Sequence, residues 1–186
     1  MLKVGAAIVL VMALAALVGP SLSPLDPARQ ELPLRLAGPS AGHPFGLDEL
    51  GRDILARVLA GARISFFVAL VVVGVSSLVG TLLGAIAGYF GGVADEVISR
   101  VTDTLLAFPG ILLAIALVAV LGPSLGHVLF ALTIIGWVGY ARLVRGQVLR
   151  AREFEYVRAA QALGATTPRV LLRHIIPTAL PSVVVQ

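Results

Sequence analysis

The sequence has no cysteine and only one lysine, Lys3. The absence of cysteine excludes disulfide bonds and thiolate metal sites. A phosphate-binding loop needs a lysine within a glycine-rich turn, and Lys3 lies in no such turn, so the chain does not hydrolyse ATP alone. The three histidines, His43, His127 and His174, are far apart in sequence and lack metal-binding spacing. We therefore predict no cofactor, no metal and no bond chemistry in this chain.

Charged residues are scarce and apolar runs are long. Charged residues make up 13% of the 186 residues and hydrophobic ones 58%, whereas a soluble domain is about 25% charged. Four apolar segments cover residues 4–18, 64–88, 104–121 and 128–140. At ~1.5 Å per residue and ~30 Å of hydrocarbon, the middle two can cross a bilayer, and the others need a few flanking residues. This pattern predicts an all-α membrane protein, a polytopic helical bundle with four complete spans.

The two ends of the sequence each raise a question. A fifth apolar run starts at Leu180, so we expect the start of a fifth span in a sequence that is truncated at its C-terminus. The first segment is either a retained transmembrane helix, residues 1–19, or a cleaved signal peptide, because one lysine precedes its apolar stretch. Both interpretations place residues 20–63 outside the cytoplasm.

The chain is predicted to divide at residue 63. Residues 20–63 form an external linker that is rich in proline and ends in an amphipathic helix at 48–60, which Gly61 terminates. Residues 64–186 form the transmembrane domain, incomplete at its C-terminus. Either the amphipathic helix lies along the membrane surface, or it simply leads into the second span.

The strongest charge asymmetry lies in residues 142–177, which carry seven arginines against two glutamates. Positive segments between spans face the cytoplasm, so we predict a cytoplasmic N-terminus and a cytoplasmic loop at 142–177. No basic patch is interleaved with aromatic residues, so a nucleic-acid partner is not expected.

Two features predict how the spans pack. Small residues recur every fourth position in the second span, at Ser76, Gly80, Gly84 and Gly88, and such a face lets a neighbouring helix approach closely. Pro109 stands near the start of the third span and predicts a kink, either as a gating feature or as a simple bend. We favour the bend.

The basic loop is predicted to contain two short helices. The first covers residues 150–163 and ends at Gly164, since glycine adopts a left-handed turn at low steric cost. The second starts with Thr167 as N-cap and stops before Pro177. Within the first helix, Glu155 is placed to pair with Arg158 one turn later.

Residues 155–177, EYVRAAQALGATTPRVLLRHIIP, resemble the cytoplasmic coupling loop of binding-protein-dependent ABC importer permeases. Its pattern is E-A-A, three residues, G, nine residues, I, one residue, L-P. Matching positions are Ala159, Ala160, Gly164 and Pro177. The sequence departs from the pattern at Arg158, His174 and Ile176, where Glu, Ile and Leu are usual.

Further stretches resemble one branch of this family. Three stretches are similar to the second (C-type) permease subunit of the dipeptide/oligopeptide/nickel branch. They are HPFGLDELGRDILARVLAGARIS (43–65), AGYFGGVADEVISRVTDTLLAFPGILLAIALVAVLG and GYARLVRGQVLRAREFEYV. The resemblance covers about residues 43–186.

The resemblance implies a permease subunit in a prokaryotic inner membrane, for di- or oligopeptides or nickel. Its partners would be a second permease subunit, two cytoplasmic ATPase subunits that bind the ATP, and an extracytoplasmic solute-binding protein. The ATPase-coupling residues would be Glu155, Arg158, Ala159, Ala160, Gly164 and Pro177. Two other classes stay open, an ion-coupled carrier or channel and a membrane scaffold that binds anionic lipid. The absence of charged residues from the middle of the spans weighs against the carrier.

Overall fold

The fold is given by a computed structural model that describes residues 2–22 and 25–186. The described residues fall into two compact units, one up to Leu70 and the other Val71–Gln186. The eight α-helices of these residues are α1 Leu2–Leu22, α2 Ile54–Phe90, α3 Gly92–Leu106, α4 Gly110–Leu121, α5 Leu125–Ala151, α6 Glu155–Ala162, α7 Thr167–Val170 and α8 Ile176–Val185.

In the first unit, residues 25–53 precede α2. They contain a 3₁₀ turn at Leu32–Leu34 and a single antiparallel bridge between Leu47 and Asp53. Asp53 is buried, and its Oδ1 accepts a hydrogen bond from the Ala56 backbone N–H at 2.7 Å. A side-chain acceptor at this position satisfies one of the unpaired donors of the first helical turn, so Asp53 caps α2.

The predicted helix at 48–60 is wrong at both ends. Helix α2 starts at Ile54 and continues without interruption to Phe90, a run of 37 residues or about 55 Å. Gly61 therefore does not terminate a helix. An interior glycine costs only about 1 kcal/mol relative to alanine, and a continuous helix keeps every backbone hydrogen bond on either side of it.

In the second unit, a glycine pair separates α2 from α3. Gly91 and Gly92 have φ values of 65° and 53°, which favour glycine because other residues meet steric cost there. The polar stretch between the second and third apolar segments is helical, since residues 92–106 form α3.

The predicted third span, 104–121, is broken rather than bent. Helix α3 ends at Leu106, α4 begins after Pro109, and the two axes differ by 84°. Proline lacks an N–H donor and disfavours helical geometry at Phe108 before it, which explains a complete break. Helix α4 has 12 residues, about 18 Å, and is too short to cross a bilayer by itself.

Helix α5 is longer than the predicted span at 128–140. It begins after Ser124, whose Oγ accepts the His127 backbone N–H at 3.1 Å, and it continues to Ala151. Arg142, Arg145 and Arg150 therefore lie on this helix and not in a loop. Within the described residues, α1, α2 and α5 are long and apolar enough to cross a membrane, and α3 with α4 would make a fourth crossing if counted together.

Candidate functional site

The segment after α5 folds back against it as a compact helical arm. We define the arm as residues 155–170, which contain α6, a turn and α7. Val157 of α6 and Val170 of α7 are fully buried. They join one apolar cluster with Val144 and Val148 of α5. The arm is thus fixed to the end of α5 by close side-chain packing.

The turn between the two arm helices is set by Gly164. This residue has φ = 84°, as the sequence predicted for a left-handed turn. Its N–H donates to the Gln161 carbonyl at 2.9 Å, and the Ala165 N–H donates to the Ala160 carbonyl at 3.0 Å. The two bonds form a Schellman motif, which satisfies two carbonyls at the end of α6. The direction of α7 relative to α6 is therefore defined by the backbone.

Helical structure does not stop before Pro177, contrary to the prediction for the second short helix. Helical structure continues from α7 through a π-helical turn at Leu171–Ile175 into α8, and Pro177 lies in the first turn of α8. Proline cannot donate a backbone hydrogen bond and crowds the carbonyl four residues earlier. A π-helical turn widens the backbone at this place and accommodates the proline without ending the helix.

Most of the predicted coupling residues are on the surface of the arm. Glu155, Arg158, Ala159, Gly164 and Pro177 are exposed, and Ala160 is half-buried. The most prominent apolar side chain is Leu163, which is 89% exposed at the turn beside Gly164. The arm therefore combines a buried anchoring face with an outer face that carries an apolar side chain at its tip.

We call residues 152–154, which precede the arm, its base. Charged side chains there pair differently from the prediction. Arg158 contacts Glu153, which precedes α6, rather than Glu155. Arg152 also lies 3.3 Å from Glu153. The hydrogen bond from Arg158 holds the pKa of the Glu153 carboxyl below its usual value. Glu153 sits in the turn before the helix, where its side chain can reach both arginines, and this reach favours it over Glu155.

Polar contacts also connect this region to the end of α2. Arg152 donates to the Gly88 carbonyl at 3.2 Å, and Gln161 Nε2 lies 3.2 Å from the Tyr89 hydroxyl. The Gly88 carbonyl is among the last four of α2, which have no partner within the helix. The arm and its base thus supply a hydrogen bond that the helix end lacks.

The small residues predicted as a packing face lie against α5. A Cβ atom at Gly80 would lie 2.5 Å from the Trp137 carbonyl oxygen, and one at Gly84 would lie 2.4 Å from that of Ala141. A Cβ at Gly88 would approach the Arg145 carbonyl oxygen to 2.8 Å. These contacts are with backbone atoms, so the two helices touch along almost bare backbone.

The fourth residue of that face, Ser76, meets a glycine on the opposite helix. Its side chain is buried, and a Cβ at Gly136 would lie 2.5 Å from the Ser76 Oγ. Sequence reasoning missed Gly136 as the partner on α5, although Gly136 and Gly139 stood in the predicted fourth span.

Helix α3 contacts α5 through two ion pairs that sequence reasoning also missed. Arg145 binds Asp95 through two hydrogen bonds, at 2.5 and 2.6 Å, and Arg142 binds Asp103 at 2.6 Å. Asp95, Ser99 and Asp103 recur every fourth residue and so share a helix face. That spacing was visible in the sequence, but their partners lie 39 and 50 residues away.

The sequence matches a protein family over the region that contains the arm. Residues 80–186 match the family described as "Binding-protein-dependent transport system inner membrane component". This region holds the end of α2, the broken pair α3–α4, α5 and the whole arm. The chain belongs to this family. Its arm, the glycine face of α2 and the ion pairs of α3 are therefore features of an inner membrane permease component.

Similar permeases carry names that refer to peptides. The dipeptide transport system permease protein DppC of Bacillus subtilis (strain 168) is 42% identical over 182 residues, 98% of this chain and 57% of that protein. The oligopeptide transport system permease protein OppC of the same strain is 42% identical over 98% of this chain and 60% of its own length. The glutathione transport system permease protein GsiD of Pectobacterium atrosepticum is 46% identical over 80% of this chain and 49% of its own length. The chain thus spans less than two thirds of the length of these relatives.

Proposed function

We propose that this chain is a transmembrane permease subunit of an ATP-driven, binding-protein-dependent importer of short peptides. Membership in the permease family supports the transport role, and the names of the similar permeases support a peptide or peptide-like solute. The partners are a second permease subunit, two cytoplasmic ATPase subunits and an extracytoplasmic solute-binding protein. This chain moves solute and performs no catalysis, because ATP is bound and hydrolysed by the ATPase subunits.

The observation that carries this proposal is the two-sided arm. Val157 and Val170 anchor it on α5, while Leu163 extends from its tip almost fully exposed. An exposed helix with an apolar side chain fits a helix-in-groove contact, in which the partner's groove covers that side chain. The partner is the cytoplasmic ATPase, since the arm and its base belong to the basic segment that the charge rule assigns to the cytoplasm.

The mechanism follows from how the arm is held. Closure of the ATPase pair on ATP displaces the arm, and the packed cluster passes this displacement to the end of α5. The Schellman turn keeps α6 and α7 at one angle, so the arm moves as a single body. Helix α5 in turn moves the helices packed on it, and the pore opens alternately to the two sides of the membrane.

The topology proposed with this mechanism has the N-terminus and the arm in the cytoplasm and residues 25–53 outside. The chain has no cysteine, so a single cysteine introduced at any position gives an unambiguous label. A cysteine at Ser40 should react with a membrane-impermeant maleimide in intact cells. A cysteine at Leu163 should react only after the cytoplasmic side is opened. Labelling of Leu163→Cys in intact cells would contradict the proposal.

Docking of the arm is tested by changing its tip. Leu163→Asp removes the apolar contact without touching the buried cluster, so we expect loss of ATPase co-purification and of uptake while the protein still inserts. The matched control is Leu32→Asp, an exposed leucine in the segment before α2, which should leave ATPase binding unchanged. Equal ATPase binding by Leu163→Asp and the unmodified complex would refute docking at this surface.

The turn is tested separately. Gly164→Pro demands φ near −65° where the backbone has 84°, so it misdirects α7. A bulky residue at the half-buried Ala160 should likewise prevent close seating of the arm. We expect both variants to insert and to lose uptake. As a control, Gly146→Ala changes a glycine on α5 with free space around it and should retain uptake.

The solute class is tested with the complete transporter. Uptake of a labelled dipeptide by proteoliposomes should require ATP and the solute-binding protein, and unlabelled di- and oligopeptides should compete. Uptake of nickel with no response to peptides would assign the transporter to the nickel group instead. Uptake that follows a proton or sodium gradient without ATP would replace the proposal by an ion-coupled carrier.

A further inference from the structure

Two ion pairs at different positions along α3 hold this helix on α5. The bidentate pair Asp95–Arg145 is partly buried, with 21% and 36% of the two side chains exposed. The pair Asp103–Arg142 is more open, with 64% and 58% exposed. Ser99 donates a further hydrogen bond to Asp95 at 3.2 Å. Bidentate arginine–carboxylate contacts fix orientation as well as distance, so the first pair defines how α3 lies on α5.

Between the two helices, this contact encloses a polar recess of about 360 Å³. Its lining includes Ser99, Thr102 and both arginines. The recess leaves part of this interface unpacked, and the two ion pairs join α3 to α5 beside it.

The same stretch of α5 holds the arm on another face. Val144, Val148 and Ala151 belong to the buried cluster that anchors the arm. Arg142 and Arg145 are three residues apart and share one face, which is turned away from that of the three apolar residues by the helical repeat of 3.6 residues. The end of α5 therefore connects the arm on one side with α3 on the other.

Beyond α3 the chain turns by 84° at residues 107–109 and enters α4. Helix α4 packs on α5 closer to the start of that helix, where a Cβ at Gly110 would lie 3.2 Å from the Ile135 side chain. A movement of α3 therefore reaches α4 through the break at Pro109, while α5 and α4 are also in direct contact.

We propose that the pairs Asp95–Arg145 and Asp103–Arg142 form a clasp that makes α3 follow the arm-bearing end of α5, so that arm movement reaches α4 through the break at Pro109. The four residues are positioning residues, which act through α3 and touch neither solute nor ATP. This inference rests on the proposed function, because it assigns the route by which arm movement reaches the rest of the helices.

The clasp is tested by charge neutralisation and charge exchange in the complete transporter in proteoliposomes. The variants are Asp95→Asn, Arg145→Gln and the exchange Asp95→Arg with Arg145→Asp. The matched control is Glu96→Gln, because Glu96 pairs with Arg100 at 3.7 Å within α3 and does not connect the helices. Two quantities are measured, the rate of peptide uptake and the number of ATP molecules hydrolysed per peptide imported.

We expect each neutral variant to retain its ATPase subunits and to hydrolyse ATP, while uptake falls by about fivefold or more, the usual size of an energetic coupling between sites. The ATP consumed per peptide should rise by the same factor, which a merely structural defect would not produce. Charge exchange should recover most of the loss, and Glu96→Gln should behave as the unmodified transporter. Unchanged coupling in Asp95→Asn and Arg145→Gln would overturn the clasp, as would an exchange variant no better than the single ones.

Variants of the second ion pair and the unmodified transporter provide two further tests of the clasp. If Asp95→Asn prevents assembly, Asp103→Asn and Arg142→Gln test the exposed pair, whose loss should leave the protein folded because exposed ion pairs contribute little to stability. A smaller rise in ATP consumed per peptide is expected. No rise in these variants would then overturn the clasp. Failure of the unmodified transporter to import with ATP would instead refute the proposed function, so the two failures are distinguishable.

Discussion

Two of the neighbours of helix α5 contact it in different ways. Against α2 it lies backbone to backbone, with no room for even a Cβ atom at Gly80 or Gly84. Against α3 it is attached by two ion pairs beside a polar recess. Contact between backbone atoms depends on the absence of side chains, whereas the ion pairs depend on charge and can be removed by neutral substitutions. The comparison indicates that close packing holds α2 on α5 and that charge holds α3 on α5.

The largest effect is expected from a substitution that disrupts the close packing of α2 on α5. Gly84→Leu places a side chain where the Ala141 carbonyl oxygen lies 2.4 Å from the Cβ position, and backbone cannot yield as a side chain can. We expect a destabilisation of about 3 kcal/mol or more, at the upper end of overpacking. Gly74→Leu in the same helix has free space and should be near neutral. Denaturant unfolding of both purified proteins in detergent measures the difference, and equal stability would show that α2 and α5 are not closely packed.

A smaller effect on the free energy of unfolding is expected where ion pairs hold α3 on α5. Asp95→Asn removes the charge that Arg145 binds through two hydrogen bonds, at a site that is only partly exposed. Hydrogen bonds to charged groups contribute about 1.5–3 kcal/mol, and partial exposure reduces this, so we expect about 1–2 kcal/mol. The same unfolding experiment reports the value. A loss as large as that of Gly84→Leu would contradict the distinction between the two interfaces.

The outer pair of the clasp should contribute least to stability. Asp103→Asn affects side chains that are more than half exposed, and exposed ion pairs are worth about 0.2–1 kcal/mol. Its effect should decrease further at 1 M salt, where screening acts over about 3 Å. Unfolding at low and high salt measures this dependence. A salt-independent loss would indicate that Asp103 acts by packing and not by charge.

The smallest effect on the free energy of unfolding is expected for the control pair, Glu96 and Arg100. Glu96 and Arg100 lie 3.7 Å apart on the surface of α3, and among the described residues their side chains form no ion pair with another helix. We expect Glu96→Gln to change the free energy of unfolding by less than about 0.5 kcal/mol. A larger change would mean that charge on α3 matters through the helix itself and not through its attachment to α5.

The sequence predicted what depends on local chemistry. Long apolar runs predicted helices, the small residues from Ser76 to Gly88 predicted a closely packed face, and Gly164 predicted a left-handed turn. Each of these follows from the residue alone or from a fixed spacing.

Sequence reasoning failed where neighbours decide the outcome. Gly61 and Pro177 are helix breakers by propensity, yet both lie inside helices, because continuing backbone hydrogen bonds and a π-helical turn compensate for them. Pro109 accounts for the break between α3 and α4, but the angle of 84° does not follow from the sequence. The pairing of Asp95 with Arg145 spans 50 residues, and no local pattern identifies such a partner.

The most direct test of the account is a crosslink from the tip of the arm. The cysteine-free chain allows Leu163→Cys as the only thiol in this subunit, and a short thiol-to-amine crosslinker is applied to inside-out membrane vesicles of the complete transporter. We predict a crosslink between this position and the ATPase subunit, with a yield that changes when ATP is added. A position that remains uncrosslinked in the assembled transporter, or that is labelled from outside intact cells, would contradict the account.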